Sequence, residues 1–438
     1  MSLNPSEERL GALARKTFLS MWSYENPFYE QGKELCDLLV VFGDDVIVIS
    51  DKLNAFGTHQ DNEVNWNRWY KKAVAGSVRQ LCGARNHIKR APDAIYTNAQ
   101  VSSPLPLRLP SIDRMRIHLI AVANGCQDAC LQTSGRPSLR IDTRHSDSRE
   151  AFSVGTVTKD GDFVHIISTP ALDAMFHCFD TARDFLDYLE RKKEALLRED
   201  WLIDGEENLV AAYMMSQPGN GPFFIPLAKF PVESGARIVR DGEWSVYLAS
   251  SAQEYRQQSR QLSYVIDRII EDVANEYANE RMVIGQDQGI SYHEQGFRLL
   301  ASESRLSRQL LGKAFYDIYQ ESTKTFWSTV LASVDSPRVY YVWLLYPEPP
   351  AELGVEDFEM YLLNELSKYM MVARAKFPQA ERVFGICLPN RDCTSTSNIY
   401  QVMNGEDWTD EMQVEAEFLE RNSGILGGIE QVTVTASR

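Results

Sequence analysis

Two short apolar runs set nearly back to back constrain this chain more than anything else in it. Leu38 to Phe42 (Leu-Leu-Val-Val-Phe) and Val46 to Ile49 (Val-Ile-Val-Ile) are rich in β-branched residues and are separated only by Gly43-Asp44-Asp45. Runs of this length suit strands better than helices, and the Gly/Asp break between them has the chemistry of a tight turn, so the pair predicts a β-hairpin. Neither run alternates with polar residues. Strands of that kind are covered on both faces, which puts the hairpin in the middle of an α/β sheet.

The flanking sequence offers the covering helices. Leu10, Leu13, Phe18 and Trp22 recur at near-helical spacing behind a Ser-Glu-Glu start, and Asn26-Pro27 ends that helix. From Trp66 to Ile88 apolar and aromatic residues keep helical intervals without a proline, which predicts one long helix with its basic residues outward. The proline-punctuated stretch 104–110 reads as an extended connection, 115–122 and 163–167 as further strands, and the polar stretch 131–150 as an exposed loop. Residues 180–197 predict a packing helix with Phe185, Leu189 and Leu196 inward and Arg191, Lys192 and Lys193 outward.

At 438 residues the chain exceeds the roughly 250 to 300 that one core serves. Gln217-Pro-Gly-Asn-Gly-Pro222 is its best linker, and a boundary within 217–240 divides it into an α/β domain (1–228) and a helix-rich α/β domain (229–438). The second half predicts helices over 251–280 and 296–321, a strand at 339–346, a helix at 357–376, a strand at 383–388 and a final helix opening at Trp408-Thr409-Asp410-Glu411.

No apolar run approaches the ~18 to 20 residues that span a bilayer, and the N-terminus lacks the pattern of a secretory signal. Seven scattered cysteines suit reduced thiols, so a cytoplasmic protein without a membrane partner is expected. The net charge of −16 argues against a surface coated in nucleic acid, yet Arg68, Lys71, Lys72, Arg79, Arg85, Lys89 and Arg90 follow one another with no acid among them. A polyanion, if bound, belongs along helix 66–88.

The one concentrated chemical signal spans the hairpin. Glu34 and Asp37 precede it, Ser50-Asp51-Lys52 ends it, and Gln80 lies on the helix that follows. This layout over residues 30–90 resembles the PD-(D/E)xK, or restriction-endonuclease-like, nuclease superfamily. The resemblance implies a mixed sheet flanked by helices, a glutamate (Glu34) on the helix before the hairpin, Mg²⁺ or Mn²⁺ held by Glu34, Asp37 and Asp51, Lys52 beside the attacking water, and Gln80 orienting the site. Hard oxygen ligands and a nearby cation are what phosphodiester hydrolysis needs. It implies a nucleic-acid substrate, DNA ahead of RNA, with bacterial defence or DNA processing as a setting and the C-terminal domain for recognition, regulation or assembly. The rival is a non-catalytic interaction or scaffold subunit carrying a degenerate nuclease-like domain.

The sequence departs from the family at Ser50, because side chains alternate along a strand and the acid should stand two residues before Lys52. Asp51 then enters the site through a bulge, or Ser50 or a water fills the position, or the site is inactive. Hairpin register bears on this. A turn at Asp44-Asp45 sets Asp37 opposite Lys52, and a loop of Gly43-Asp44-Asp45 sets it opposite Asp51.

Other candidates are weaker. Cys126 and Cys130 lack a second ligand pair for zinc, His177-Cys178 lies among apolar residues, and His165 reads as a core histidine. Arg298, Arg305 and Arg308 with Glu303 suit a phosphate grip or, more commonly, a salt-bridged surface. No Walker or dinucleotide-binding pattern occurs.

Overall fold

In the computed structural model of the chain, which describes residues 5–145, 150–159, 162–216 and 223–428, the two apolar runs are adjacent strands of a six-stranded sheet. The chain enters through α1 (Pro5–Trp22) and β1 (Ser23–Glu25), forms the hairpin β2 (Leu38–Phe42) and β3 (Asp45–Leu53), and crosses by α2 (Asn62–Arg90) to β4 (Arg116–Asn124). With β5 (Val157–Lys159) and β6 (Asp162–Ser168) the order is β1-β2-β3-β4-β6-β5. β3, β4 and β6 run parallel, and β1, β2 and β5 are antiparallel to their neighbours. A parallel β3/β4 pair requires a crossover, which α2 supplies.

The turn holds two residues but lies one position earlier than the expected Asp44-Asp45 turn. Phe42 pairs with Asp45, so the loop is Gly43-Asp44 alone, with Gly43 at φ 61°, where glycine carries no steric penalty. Asp45 is drawn into the strand because Arg116 (2.6 Å) and His118 (2.8 Å) of β4 both hold its carboxylate. That replaces both expected registers. One step beyond the Leu38/Ile49 pair, Asp37 stands beside Ser50, and its N–H donates to the Ile49 carbonyl at 3.1 Å.

Helices cover both faces of the sheet. α2 buries Trp66, Trp69, Leu81 and Ile88 on the face of Ser50. α1 lies on the face of Asp51, together with α3 (Thr169–Cys178) and α4 (Ala182–Arg198), where Phe18 meets Phe176 and Phe185 edge to face. The indole N–H of Trp69 is shared between the carbonyls of Asn54 (2.9 Å) and Asn124 (3.2 Å), which ties α2 to the ends of β3 and β4.

Several expectations need correction. The stretch 131–150 is not one loop: Gln127–Ser134 is helical and Arg140–Asp142 pairs with Trp201–Asp204 in a second, five-stranded sheet. Lys192 points inward, where its ammonium lies 2.6 Å from Glu206, itself bonded by the Tyr188 hydroxyl. Gln217 to Pro222 lies outside the described residues. The boundary falls at Arg256/Gln257 and not near residue 228, because Ala236–Val239 pairs in parallel with Trp201–Asp204 and so belongs to the first unit.

The second unit carries α5 (Tyr264–Ala278), α6 (Ile290–Ala301), α7 (Arg305–Glu321), β7 (Trp327–Ala332), β8 (Val339–Tyr346), α8 (Val355–Lys376), β9 (Arg382–Pro389), β10 (Ile399–Asn404) and α9 (Asp410–Ser423). Its four strands run in the order β7-β8-β9-β10, with Leu362, Leu366 and Met370 of α8 packed on Val342, Leu344 and Val383. The two long helices expected here are interrupted. The first passes through a 3₁₀ turn at Arg260–Ser263. The second breaks at Ser302 to Ser304, where Glu303 turns inward to accept from Ser333 and Tyr341 (both 2.8 Å) and Ser304 caps α7. Among the described residues no helix is long and apolar enough to cross a membrane.

Gly125 follows β4 at φ 96°, and a Cβ there would stand 2.1 Å from the Asn54 carbonyl oxygen. Gly125→Ala therefore forces apart the ends of β3 and β4, and hydrogen exchange of their amides is expected to show opening made easier by roughly 2 kcal/mol or more.

Candidate functional site

The ends of β3 and β4 and the start of β2 meet at one edge of the main sheet. Carboxyl ends of parallel strands are where open α/β sheets place their functional groups. The register sorts the residues there. Asp37, Ser50 and Lys52 share one face, and Asp51 takes the other. β3 pairs with β4 without interruption from Asp45 to Leu53, so there is no bulge to swing Asp51 across.

Asp37 is buried, with one carboxylate oxygen accepting the Asp51 backbone N–H at 2.5 Å. It thereby closes the strand pairing where β2 begins. Burial raises the Asp37 pKa, the Lys52 ammonium and the Asp51 N–H oppose that rise, the Glu7 charge adds to it, and a hydrogen bond from Ser50 opposes it. The Ser50 hydroxyl, also buried, lies 3.2 Å from Oε1 of Gln80, so α2 reaches the site as expected. Lys52 is half-buried and makes no ion pair among the described residues.

Asp51 is gripped on the other face. Its carboxylate accepts from the Ser6 hydroxyl (2.5 Å) and from the Asn124 side-chain amide. Burial pushes its pKa up to about 6; the charges of Asp37 and Glu7 act in the same direction, and the two hydrogen bonds act against it. The polar chain continues beyond it, with the Gln127 amide donating to Thr169 at 2.6 Å.

Glu34 is not on a helix. It lies in a two-stranded ribbon of Phe28–Glu30 and Lys33–Glu34, and it is exposed. Its pKa is raised by partial burial and by Asp37 and Glu7 and lowered by Lys52, which places it within electrostatic reach of all three. The helix before the hairpin instead delivers Glu7, close enough to act on Glu34, Asp37 and Asp51 together. Sequence reasoning took the Ser6-Glu7-Glu8 start only as a helix opening and passed over Asn124. The one signal available for Asn124 was its place at the end of an apolar strand, immediately before a glycine.

The expected residues thus gather at one edge, on two faces. Among the described residues no three His, Cys, Asp or Glu side chains are placed to hold a metal ion. The remaining candidates resolve into packing. Cys126 and Cys130 are buried thiols, and burial raises both. His165 is buried, and burial lowers its pKa well below the usual range, as a neutral core histidine requires. His177 faces Gln253 at 3.2 Å. Arg305 and Arg308 both hold Asp267, and Arg298 pairs with Glu294, so these three do not form a phosphate grip.

The Asp51 shift has a thermodynamic consequence. Its pKa rises from an ordinary 3.8 to about 6 on folding, so the native state binds the proton more tightly. Asp51 therefore costs no stability below the unfolded value, and stability falls as pH rises through the folded one, by roughly 3 kcal/mol in full. Asp51→Asn is expected to be the more stable protein at neutral pH, with the advantage vanishing in acid, as urea denaturation at several pH values will register.

No family model matches the chain, and neither a curated protein nor a solved structure is significantly similar to it, so the likeness to PD-(D/E)xK nucleases rests on these residues alone.

Proposed function

We propose that the N-terminal unit hydrolyses phosphodiester bonds in nucleic acid with the help of Mg²⁺ or Mn²⁺. The observation that carries this reading is the shared face of Asp37, Ser50 and Lys52, with Gln80 of α2 bonded to Ser50 and Glu34 within electrostatic reach. Acids that raise one another's pKa beside an unpaired lysine suit a divalent cation more than they suit each other.

The donor set fits a hydrated ion. Asp51 has both oxygens engaged by Ser6 and Asn124, whereas Asp37 accepts from the Asp51 N–H and from Ser50, so its remaining lone pairs and Glu34 are the groups that would hold the ion. Mg²⁺ commonly keeps several waters and takes only one or two carboxylates. The chemistry such an ion would supply when held there is polarisation of the phosphate and acidification of a water. Lys52 steadies the nucleophile and the developing charge, Ser50 and Gln80 fix the floor of the site, and Asp51 acts from behind by holding β3 in place. The substrate is nucleic acid, DNA ahead of RNA, approaching from α2; defence or DNA processing remains the setting such a fusion suggests, with the C-terminal unit available to a protein partner.

A second reading has its own support. Because Asp37 and Asp51 already serve the strand ends and no three-ligand cluster is present among the described residues, the unit also suits a degenerate nuclease-like scaffold without catalysis.

Cleavage of plasmid and of single-stranded substrate separates the two. Metal-dependent cleavage is expected to fall about 100-fold or more in Lys52→Ala and in Asp37→Asn, with circular dichroism unchanged for Lys52→Ala. Absence of cleavage by the wild-type chain with either metal favours the scaffold. Calorimetry supplies an independent readout. Binding of Mg²⁺ is expected to strengthen as pH rises, because Asp37 and Glu34 hold their protons above the usual range and must release them to the metal.

A further inference from the structure

α2 carries more positive charge than its packing requires. Arg68, Lys71, Lys72, Arg79, Lys89 and Arg90 are all exposed, and among the described residues none makes an ion pair. No acid interrupts residues 64–90 in a chain of net charge −16. At 100° per residue the six fall within an arc of about 100°, so they form one stripe running roughly 33 Å along the helix. The opposite side of α2 is fixed to the sheet by Trp66, Trp69 and Ile88, and its far end by the Arg85 to Asp162 pair. The stripe is held rigid.

We propose that this stripe is a track for the backbone of double-stranded nucleic acid. Its cations gather at the two ends, about 30 Å apart, with Arg79 near the middle, a span on the order of one turn of a duplex. Within that arc lie Ala75, Cys82 and Asn86, and beside it Asn67, Gly76 and Gly83, not the large apolar side chains that would seat a basic helix in a membrane surface. The track also leads to the site. Gln80, which bonds Ser50, is flanked one turn away on either side by Gly76 and Gly83. A Cβ at Gly83 would meet nothing within 4 Å, and one at Gly76 would meet only the Lys71 carbonyl oxygen at an ordinary 3.7 Å. Mid-helix glycine costs roughly 0.5–1 kcal/mol against alanine, and no packing contact asks for it at either position. The bare helix beside Gln80 lets a sugar-phosphate chain come close where it must turn toward Lys52.

The inference rests on the nuclease reading for what happens at Lys52, but binding is measured without cleavage. Fluorescence anisotropy in EDTA is run on a labelled duplex of about two turns, on the single strand of equal length, and with vesicles of anionic phospholipid as competitor. Wild-type chain is expected to prefer the duplex, with log affinity falling against log salt at a slope of about −5. The Arg68→Ala/Lys71→Ala/Lys72→Ala triple variant is expected to reduce that slope by about 2–3. Gly83→Ala is expected to raise the melting temperature while weakening the duplex, opposite signs that a purely structural glycine would not give. An unchanged slope in the triple variant, equal or tighter binding of the single strand, or displacement of the duplex by vesicles overturns the proposal. Because binding is read in EDTA, wild-type chain that binds duplex but does not cut it with either metal refutes the nuclease and leaves the track standing.

Discussion

Pairing of Asp45 with Arg116 and His118 fixes the register on which the rest of the N-terminal unit depends. It takes an acid that would otherwise sit in the turn and makes it the first residue of β3. Since side chains alternate, that single assignment decides which residues of the Ser50 to Lys52 segment face α2 and which face α1. Were Asp45 left in the turn, Asp37 would stand opposite Lys52 or Asp51, according to the length of the turn, and not beside Ser50. The ion pairs lie at one end of the strand, and their effect is felt at the other.

That far end is electrostatically crowded. Glu7 acts on Glu34, Asp37 and Asp51, Asp37 acts on Glu34 and Asp51, and Lys52 is the cation that offsets Glu34 and Asp37. Backbone and amide donors moderate the burial of two of these acids, yet Asp37 and Asp51 still keep their protons above the usual range. A fold does not need this arrangement to hold its strands together, since apolar side chains of similar volume would be cheaper to bury. Concentrated like charge at the edge of a sheet is a common way of keeping a functional site ready at the expense of stability.

The sequence disclosed α1 and α2 by their helical apolar period, and the hairpin and the two central strands of the second unit by unbroken apolar runs. Of the residues it singled out, Asp37 and Lys52 share a face with Ser50 and Gln80 reaches them from α2, while Asp51 takes the other face and Glu34 lies in a separate ribbon. What it could not disclose were matters settled by partners distant in the chain. Asp45 belongs to the strand only because β4 brings Arg116 and His118; Lys192 faces inward only because Glu206 waits there; the second long helix expected in the second unit breaks where Glu303 finds Ser333 and Tyr341. The polar linker near residue 220 misplaced the boundary for the same reason, since the strand Ala236–Val239 returns to the first unit through backbone pairing that no local pattern announces. Glu7 was hidden because thirty residues separate it from Asp37.

Consider finally the Trp69 indole, whose one proton is shared by the carbonyls of Asn54 and Asn124. Mechanically it is a rivet through three parts: the amino-terminal half of α2 and the last residues of two parallel strands. A pull on that helix is borne at both strand ends at once, so α2 cannot slide over the sheet without first losing both bonds. The cationic stripe and the acid edge are for that reason parts of one stiff body, and their spacing is set when the chain folds.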